Sequence, residues 1–132
     1  MAVAIFREPN RARWVGVRPG HDGTMLVASA SATNNTATVY MVPAGKVLLV
    51  VAYDLFLVAA GVGAGTGYLN RAGETSFPLG RQFSNTQVGW HPHAAGSFSI
   101  PFELNAGDTV TVVSSAATLT ITCAVWGLLI PA

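Results

Sequence analysis

The stretch from Val42 to Val58, V-P-A-G-K-V-L-L-V-V-A-Y-D-L-F-L-V, decides the fold of this chain. It opens with a tight turn, in which Pro43 fixes φ and Gly45 is free to take a positive φ. The residues after Lys46 are apolar at nearly every position, so both faces of this strand are expected to be buried. Asp54 interrupts the run, and because a buried unpaired carboxylate is costly, we expect it at a strand bend, beside an arginine or at an interface.

Composition indicates one domain that is part of an assembly. A chain of 132 residues suffices for one domain with a proper core. Only 10% of its residues are charged, against about 25% in ordinary soluble domains. We therefore expect part of its surface to be buried against copies of itself or in a larger particle. The net charge of +1 favours neither nucleic acid nor an acidic membrane as a partner.

Two further features of the sequence have structural interpretations. The run from Val47 to Ala64 is as long as a membrane span, but Asp54 near its middle, the glycines at its end and its many β-branched residues argue against membrane insertion. The single cysteine, Cys123, lies in an apolar run and is expected to be a buried free thiol.

The chain divides into an N-terminal arm, residues 1–20, and one domain, residues 21–132. The arm has no sustained hydrophobic period, and we expect it to be extended, with a short strand over residues 13–17. Its large aromatic anchor is Trp14. Its basic side chains are Arg7, Arg11, Arg13 and Arg18. They could form ion pairs with a neighbouring subunit at least as well as they could bind nucleic acid.

Alternation and turn residues predict eight strands and no helix. The predicted ranges are 24–32, 36–42, 47–58, 68–72, 81–88, 97–104, 109–114 and 119–130. The glycines between residues 61 and 67 predict a flexible loop, and Asn105–Asp108 predicts a hairpin turn. Alternation places Met41 on the inner face of the second strand, with Tyr40 on the other face, and Ile100 on the same face as its apolar neighbours.

Eight short strands with glycine-rich turns indicate an antiparallel β-sandwich or a barrel. A short similarity between two parts of the sequence refines this prediction. Pro43-Ala44-Gly45-Lys46-Val47 and Asn105-Ala106-Gly107-Asp108-Thr109 both place a polar residue after Ala-Gly at the start of a strand. Two similar corners, one in each half of the chain, suit the paired Greek keys of a jelly roll.

Few residues could carry chemistry. His91 and His93 could both reach a metal from an extended chain, but the sequence fixes no third ligand, so we predict neither a metal nor a cofactor. Trp90 beside them, with Tyr68 from another part of the chain, could form an aromatic platform for a sugar or a protein. We assign no catalytic residue and expect no enzymatic activity, since no carboxylate pair or nucleophile motif is present.

The chain resembles small virion-associated proteins of tailed bacteriophages. The resemblance covers Tyr40 to Ile130 and is carried by the V-P-A-G-K corner at Val42–Lys46, by the F-E-L-N-A-G-D-T-V stretch at Phe102–Val110, and by the closing strand that ends at Leu129-Ile130. It implies a jelly-roll sandwich, commonly trimeric, in proteins that decorate capsids, form head or tail fibres or bind host glycans.

The resemblance implies a function in a virion, in contact with capsid or tail proteins. We predict a self-associating structural protein, with a trimer favoured, whose arm docks on the particle through Arg7, Arg11, Arg13, Trp14 and Arg18. The alternative is a receptor-binding or carbohydrate-binding module with Tyr68, Trp90, His91 and His93 lining its site. A third alternative is a small metal-dependent enzyme built on His91 and His93.

Overall fold

A computed structural model describes residues 23–59, 62–85 and 93–132 of the chain. These residues form eight β-strands, and none of them belongs to a helix that could cross a membrane. The strands are β1 (Thr24–Thr33), β2 (Thr36–Met41), β3 (Lys46–Ala59), β4 (Gly63–Asn70), β5 (Phe77–Asn85), β6 (His93–Asn105), β7 (Thr109–Ser114) and β8 (Leu119–Pro131). The predicted arm, with its strand over residues 13–17, lies outside the described residues.

The strands form two four-stranded antiparallel sheets, ordered β1-β8-β3-β6 and β2-β7-β4-β5. Consecutive strands belong to opposite sheets, except β4 and β5, which pair as a hairpin. Two sheets that exchange strands in this order are a jelly roll. The predicted all-β fold of eight strands is therefore confirmed.

The core lies between the sheets and is built from alternate residues of each strand. Strand β3 is central to its sheet, as predicted, because it pairs with β8 from Lys46 to Ala59 and with β6 on its other side. In β7, Val110 and Val112 point inward and are fully buried. Cys123 of β8 lies in the same core, so the predicted buried thiol is confirmed.

The two similar corners lie against each other. The amide N–H of Val42 donates to the carbonyl oxygen of Asp108 at 3.0 Å, and the N–H of Gly107 donates to the carbonyl oxygen of Val42 at 2.9 Å. The first corner joins β2 to β3 and the second joins β6 to β7, so each crosses between sheets. The prediction of a hairpin at Asn105–Asp108 is therefore wrong: the turn reverses the chain, but the strands that it joins pair with other partners.

The predicted glycine loop is a strand. Gly65 and Gly67 lie inside β4, which pairs with β5 and β7. A Cβ atom on Gly65 would lie 2.4 Å from Cδ1 of Ile121 and 2.0 Å from the carbonyl oxygen of Val113. Glycine is needed at this position because the opposite sheet and the neighbouring strand approach so closely.

Bulges change the faces of two strands. A register shift after Thr38 in β2 turns Tyr40 toward the core and leaves Met41 exposed, which reverses the prediction for both. In β6, residues 98–101 stand opposite a single position of β3, and Ile100 is exposed rather than inward. An extra residue in a strand reverses the alternation beyond it, so these faces depend on the partner strand.

Candidate assembly surface

The β1/β2 edge is the side of the sandwich at which both sheets end in uncharged strands. Strands β1 and β2 are the terminal strands of their sheets and lie beside each other. Their sequences, T-M-L-V-A-S-A-S-A-T and T-A-T-V-Y-M, contain neither a charged residue nor a proline. Proteins usually protect such edges with charges, prolines or bulges, because an open strand edge is a template for pairing with another chain. In β1, the pairing with β8 runs without a register shift, so it lacks all three protections.

Apolar side chains flank this edge. Met25 and Val27 project from the outer face of β1, where Val27 is 63% exposed. Met41 is exposed on β2. Val27 pairs with Trp126 of β8, which pairs in turn with Ala52 of β3. The apolar strip therefore continues across the outer face toward the middle of the sheet. An exposed apolar strip beside an open strand edge is typical of an interaction surface.

The opposite edge, formed by β5 and β6, is protected. Pro78 lies in β5 and Pro101 in β6, and proline cannot donate to a new strand partner. Aromatic side chains fill the gap between the sheets at this edge, and the Phe77 and Phe102 rings lie 5.1 Å apart. The guanidinium of Arg71 lies 4.2 Å above the Phe102 ring. The two edges of the sandwich are therefore chemically different.

A shallow cavity of about 360 Å³ lies on the outer face of the β1-β8-β3-β6 sheet. Its described lining is Asp54 and Phe56 of β3, His93 of β6, and Thr122 and Ala124 of β8. The carboxylate Oδ1 of Asp54 contacts Nε2 of His93. The Phe56 ring meets the imidazole edge-on, with 6.3 Å between ring centres. The arrangement offers a carboxylate, an imidazole and an exposed aromatic ring to one small ligand.

The structure separates two of the predicted ligand residues. His93 lies on the outer face of one sheet, while Tyr68 of β4 lies on the outer face of the other. Trp90, His91 and the predicted docking residues of the arm lie outside the described residues. Where the structure describes the chain, no three His, Cys, Asp or Glu side chains gather as a metal site would require.

Neither the Asp54–His93 contact nor the open edge was predicted from the sequence. The contact depends on the register in which Phe56 pairs with His93, and nothing near either residue in the sequence specifies that register. The edge had a visible indication: residues 23–45 contain no charged side chain. The sequence of that run does not indicate that β1 and β2 are edge strands, one in each sheet.

No protein-family model matches the chain, and no curated protein is significantly similar to it in sequence. Among solved structures, a chain of the acidic stable capsid of the Helicobacter pylori bacteriophage KHP30 aligns with 81% of this chain and 89% of its own length, at 13% identity and a TM-score of 0.55. A chain of the cyanophage Pam1 capsid aligns with 83% of this chain and 87% of its own, at 19% identity and a TM-score of 0.49. A pentameric capsid protein from metagenomic phage sequences aligns with 80% of this chain and 60% of its own, at 19% identity and a TM-score of 0.43. The first of these similarities shows that the chain shares its fold with a phage capsid chain.

Proposed function

We propose that this chain is a non-enzymatic structural protein of a phage-like particle, which associates with copies of itself and attaches to the capsid or tail surface. The observation that carries the proposal is the uncharged β1/β2 edge with exposed Met25, Val27 and Met41 beside it. The corner motifs at Val42–Lys46 and Phe102–Val110 support a role in a virion, as does the fold shared with a chain of the KHP30 capsid. That alignment covers most of both chains.

Self-association would proceed by pairing at the open edge. Among the described residues, β1 pairs with β8 alone, so a second copy could add a strand to its other edge, satisfy the backbone groups there and cover Met25 and Val27. Burying apolar surface contributes about 25 cal/mol per Å². The resemblance to virion-associated proteins favours a trimer, in which several arms, each weakly bound, would hold the oligomer on the particle together.

The test of self-association is Val27→Lys in the full chain, measured by light scattering after size exclusion. We expect the wild-type protein to be an oligomer and the variant a monomer, because the lysine places a charge at the strand edge. Val62→Lys is the matched control, since Val62 is 67% exposed and Val27 63%, but Val62 lies in the β3–β4 connection. A monomeric wild type, or a variant that keeps the wild-type mass, would contradict the proposal.

A second candidate function is glycan binding, and the cavity beside Phe56 favours it. An exposed aromatic ring next to a carboxylate and an imidazole can stack on a sugar and bind its hydroxyl groups. Phe56→Ala should abolish glycan-array binding while leaving the oligomer intact. An array on which the wild-type protein binds no glycan would count against this function.

A further inference from the structure

Three side chains on the outer face of the β1-β8-β3-β6 sheet are as buried as the core between the sheets. Val47 and Leu49 of β3 are each 1% exposed, and Ile130 of β8 is 2% exposed. Leu48 belongs to the inner core, so its two neighbours in the strand point outward. Farther along the same face, Phe56 is 47% exposed. The face is therefore covered at one end and open at the other.

The described strands account for little of this cover. Within the described ranges, Leu128 is the one partly buried hydrophobic side chain that packs against this outer cluster of Val47, Leu49 and Ile130. The next residue across the sheet from Leu128 is Met25 of β1, which is itself exposed. The cover must come from another segment of this chain.

The residues before Gly23 start beside the outer cluster. A Cβ atom on Gly23 would lie 2.7 Å from Cγ2 of Ile130 and 3.1 Å from Cδ1 of Leu128. A sheet of four strands is about 15 Å wide, while residues 14–22, if extended, would span about 30 Å. The second half of the arm can therefore reach every strand of this face.

The chemistry of that half suits the surface. Trp14, Val15 and Val17 are apolar, and a tryptophan ring gains much from burial against aliphatic side chains. Arginines precede and follow them at positions 13 and 18. Two carboxylates lie on this face: Asp54 on β3, which contacts His93, and Glu103 on β6, which lies opposite Leu49 in the register. The segment and the surface are thus complementary in both polarity and charge.

We propose that residues 13–22 lie across the outer face of their own chain's sheet, with Trp14 over the outer cluster. The arm then has two halves, in which residues 13–22 complete the subunit and Met1–Ala12 remain for the particle. This assignment refines the role of the arm in the proposed function. It stands on burial and reach within one subunit, so its test needs no particle.

The test places the photo-crosslinking residue p-benzoylphenylalanine at position 14 of the full chain, with position 6 as the control. After irradiation, peptide mapping should join position 14, but not position 6, to residues 46–50 or 127–131. An equal mixture of isotope-labelled and unlabelled protein should show the crosslink within one chain. Crosslinks to another copy's sheet, or none to these two stretches, would overturn the proposal.

A stability measurement provides an independent check. Trp14→Ala should lower the melting temperature by about 5 °C or more and increase binding of a hydrophobic dye, because the outer cluster loses its cover. Phe6→Ala removes an aromatic ring from the other half of the arm and should change neither quantity. Equal melting temperatures for the two variants would contradict the packing, whatever the oligomeric state or particle binding of the protein.

Discussion

Asp108 joins three connections of the sandwich at one end. Its carboxylate accepts hydrogen bonds from the backbone N–H groups of Asn105, at 2.8 Å, and Ala72, at 3.0 Å. Its carbonyl oxygen accepts from Val42 in the β2–β3 corner. The bond to Asn105 is the turn chemistry that the sequence predicts. The bond to Ala72 depends on the β4–β5 connection lying beside this corner, which only the fold determines.

We predict that Asp108→Ala lowers the free energy of unfolding by about 3 kcal/mol, because two backbone N–H groups in a largely buried corner lose their acceptor. Asp108→Asn keeps an acceptor for only one of the two N–H groups and should cost half as much, about 1.5 kcal/mol. Denaturant titration of both variants provides the measurement. Glu74→Ala, which removes an exposed ion pair with Arg71, is the control and should change stability by less than about 0.5 kcal/mol. A similarly small effect of Asp108→Ala would show that the corner does not depend on its side chain.

The buried thiol of Cys123 should make the free energy of unfolding depend on pH in the alkaline range. Burial, with a smaller contribution from the negative charge of Asp54, raises the pKa of the Cys123 thiol from 9.0 to about 12. Below pH 9 the thiol is neutral in both the folded and the unfolded chain. Between pH 9 and about 12 only the unfolded chain releases the proton, so folding should lose up to about 1.4 kcal/mol per pH unit.

The measurement is the free energy of unfolding against pH for the wild type and for Cys123→Ala. Lysines and tyrosines titrate in both proteins, so the difference between their slopes isolates the thiol. We expect the wild-type slope to be steeper above pH 9 and the two slopes to match below it. A thiol reagent that modifies the native protein rapidly at neutral pH would show that Cys123 is not buried.

At the scale of the strand, the sequence predicts correctly those features that depend on the residues of one strand alone. Strand β3 is largely apolar and central, as predicted, but its outer face is buried only at Val47 and Leu49, while Phe56 and Val58 are exposed. Strand β7 alternates cleanly and agrees with prediction. The glycines of β4 predicted a loop because glycine weakens a strand taken by itself. Gly65 is instead required by Ile121 and Val113 on other strands. Requirements of that kind are not visible in the local sequence.

The registers between strands explain the other differences. The bulge after Thr38 exposes Met41, and this places an apolar residue on the outside at the β1/β2 edge. Pairing of β3 with β6 brings Asp54 to His93 from far along the chain. Turn residues predict where the chain reverses. Which side chains each sheet face exposes depends instead on the partner of each strand and on the register of their pairing.

At the scale of the whole molecule, the sparse charges are unevenly distributed. Arg71, Glu74, Glu103 and Asp108 lie near the β4–β5 and β6–β7 connections, while β1 and β2 have no charge at all. Low charge predicted an assembly from composition alone. The fold adds which surface of the described residues is free of charge. The two proposed contacts differ in physical character, because the strand edge is uncharged and the sequence of the arm is basic.

These two contacts should respond differently to salt. Raising NaCl from about 0.05 M to about 0.5 M shortens the screening length several-fold, which weakens ion pairs but not backbone pairing or apolar burial. The oligomer mass from light scattering should therefore stay constant, while cosedimentation with particles should fall. Arg7→Ala with Arg11→Ala should reduce cosedimentation already at low salt and leave the oligomer mass unchanged. An oligomer that dissociates as salt rises would show that its interface is ionic, and the β1/β2 edge, which has no charge, could not then be that interface.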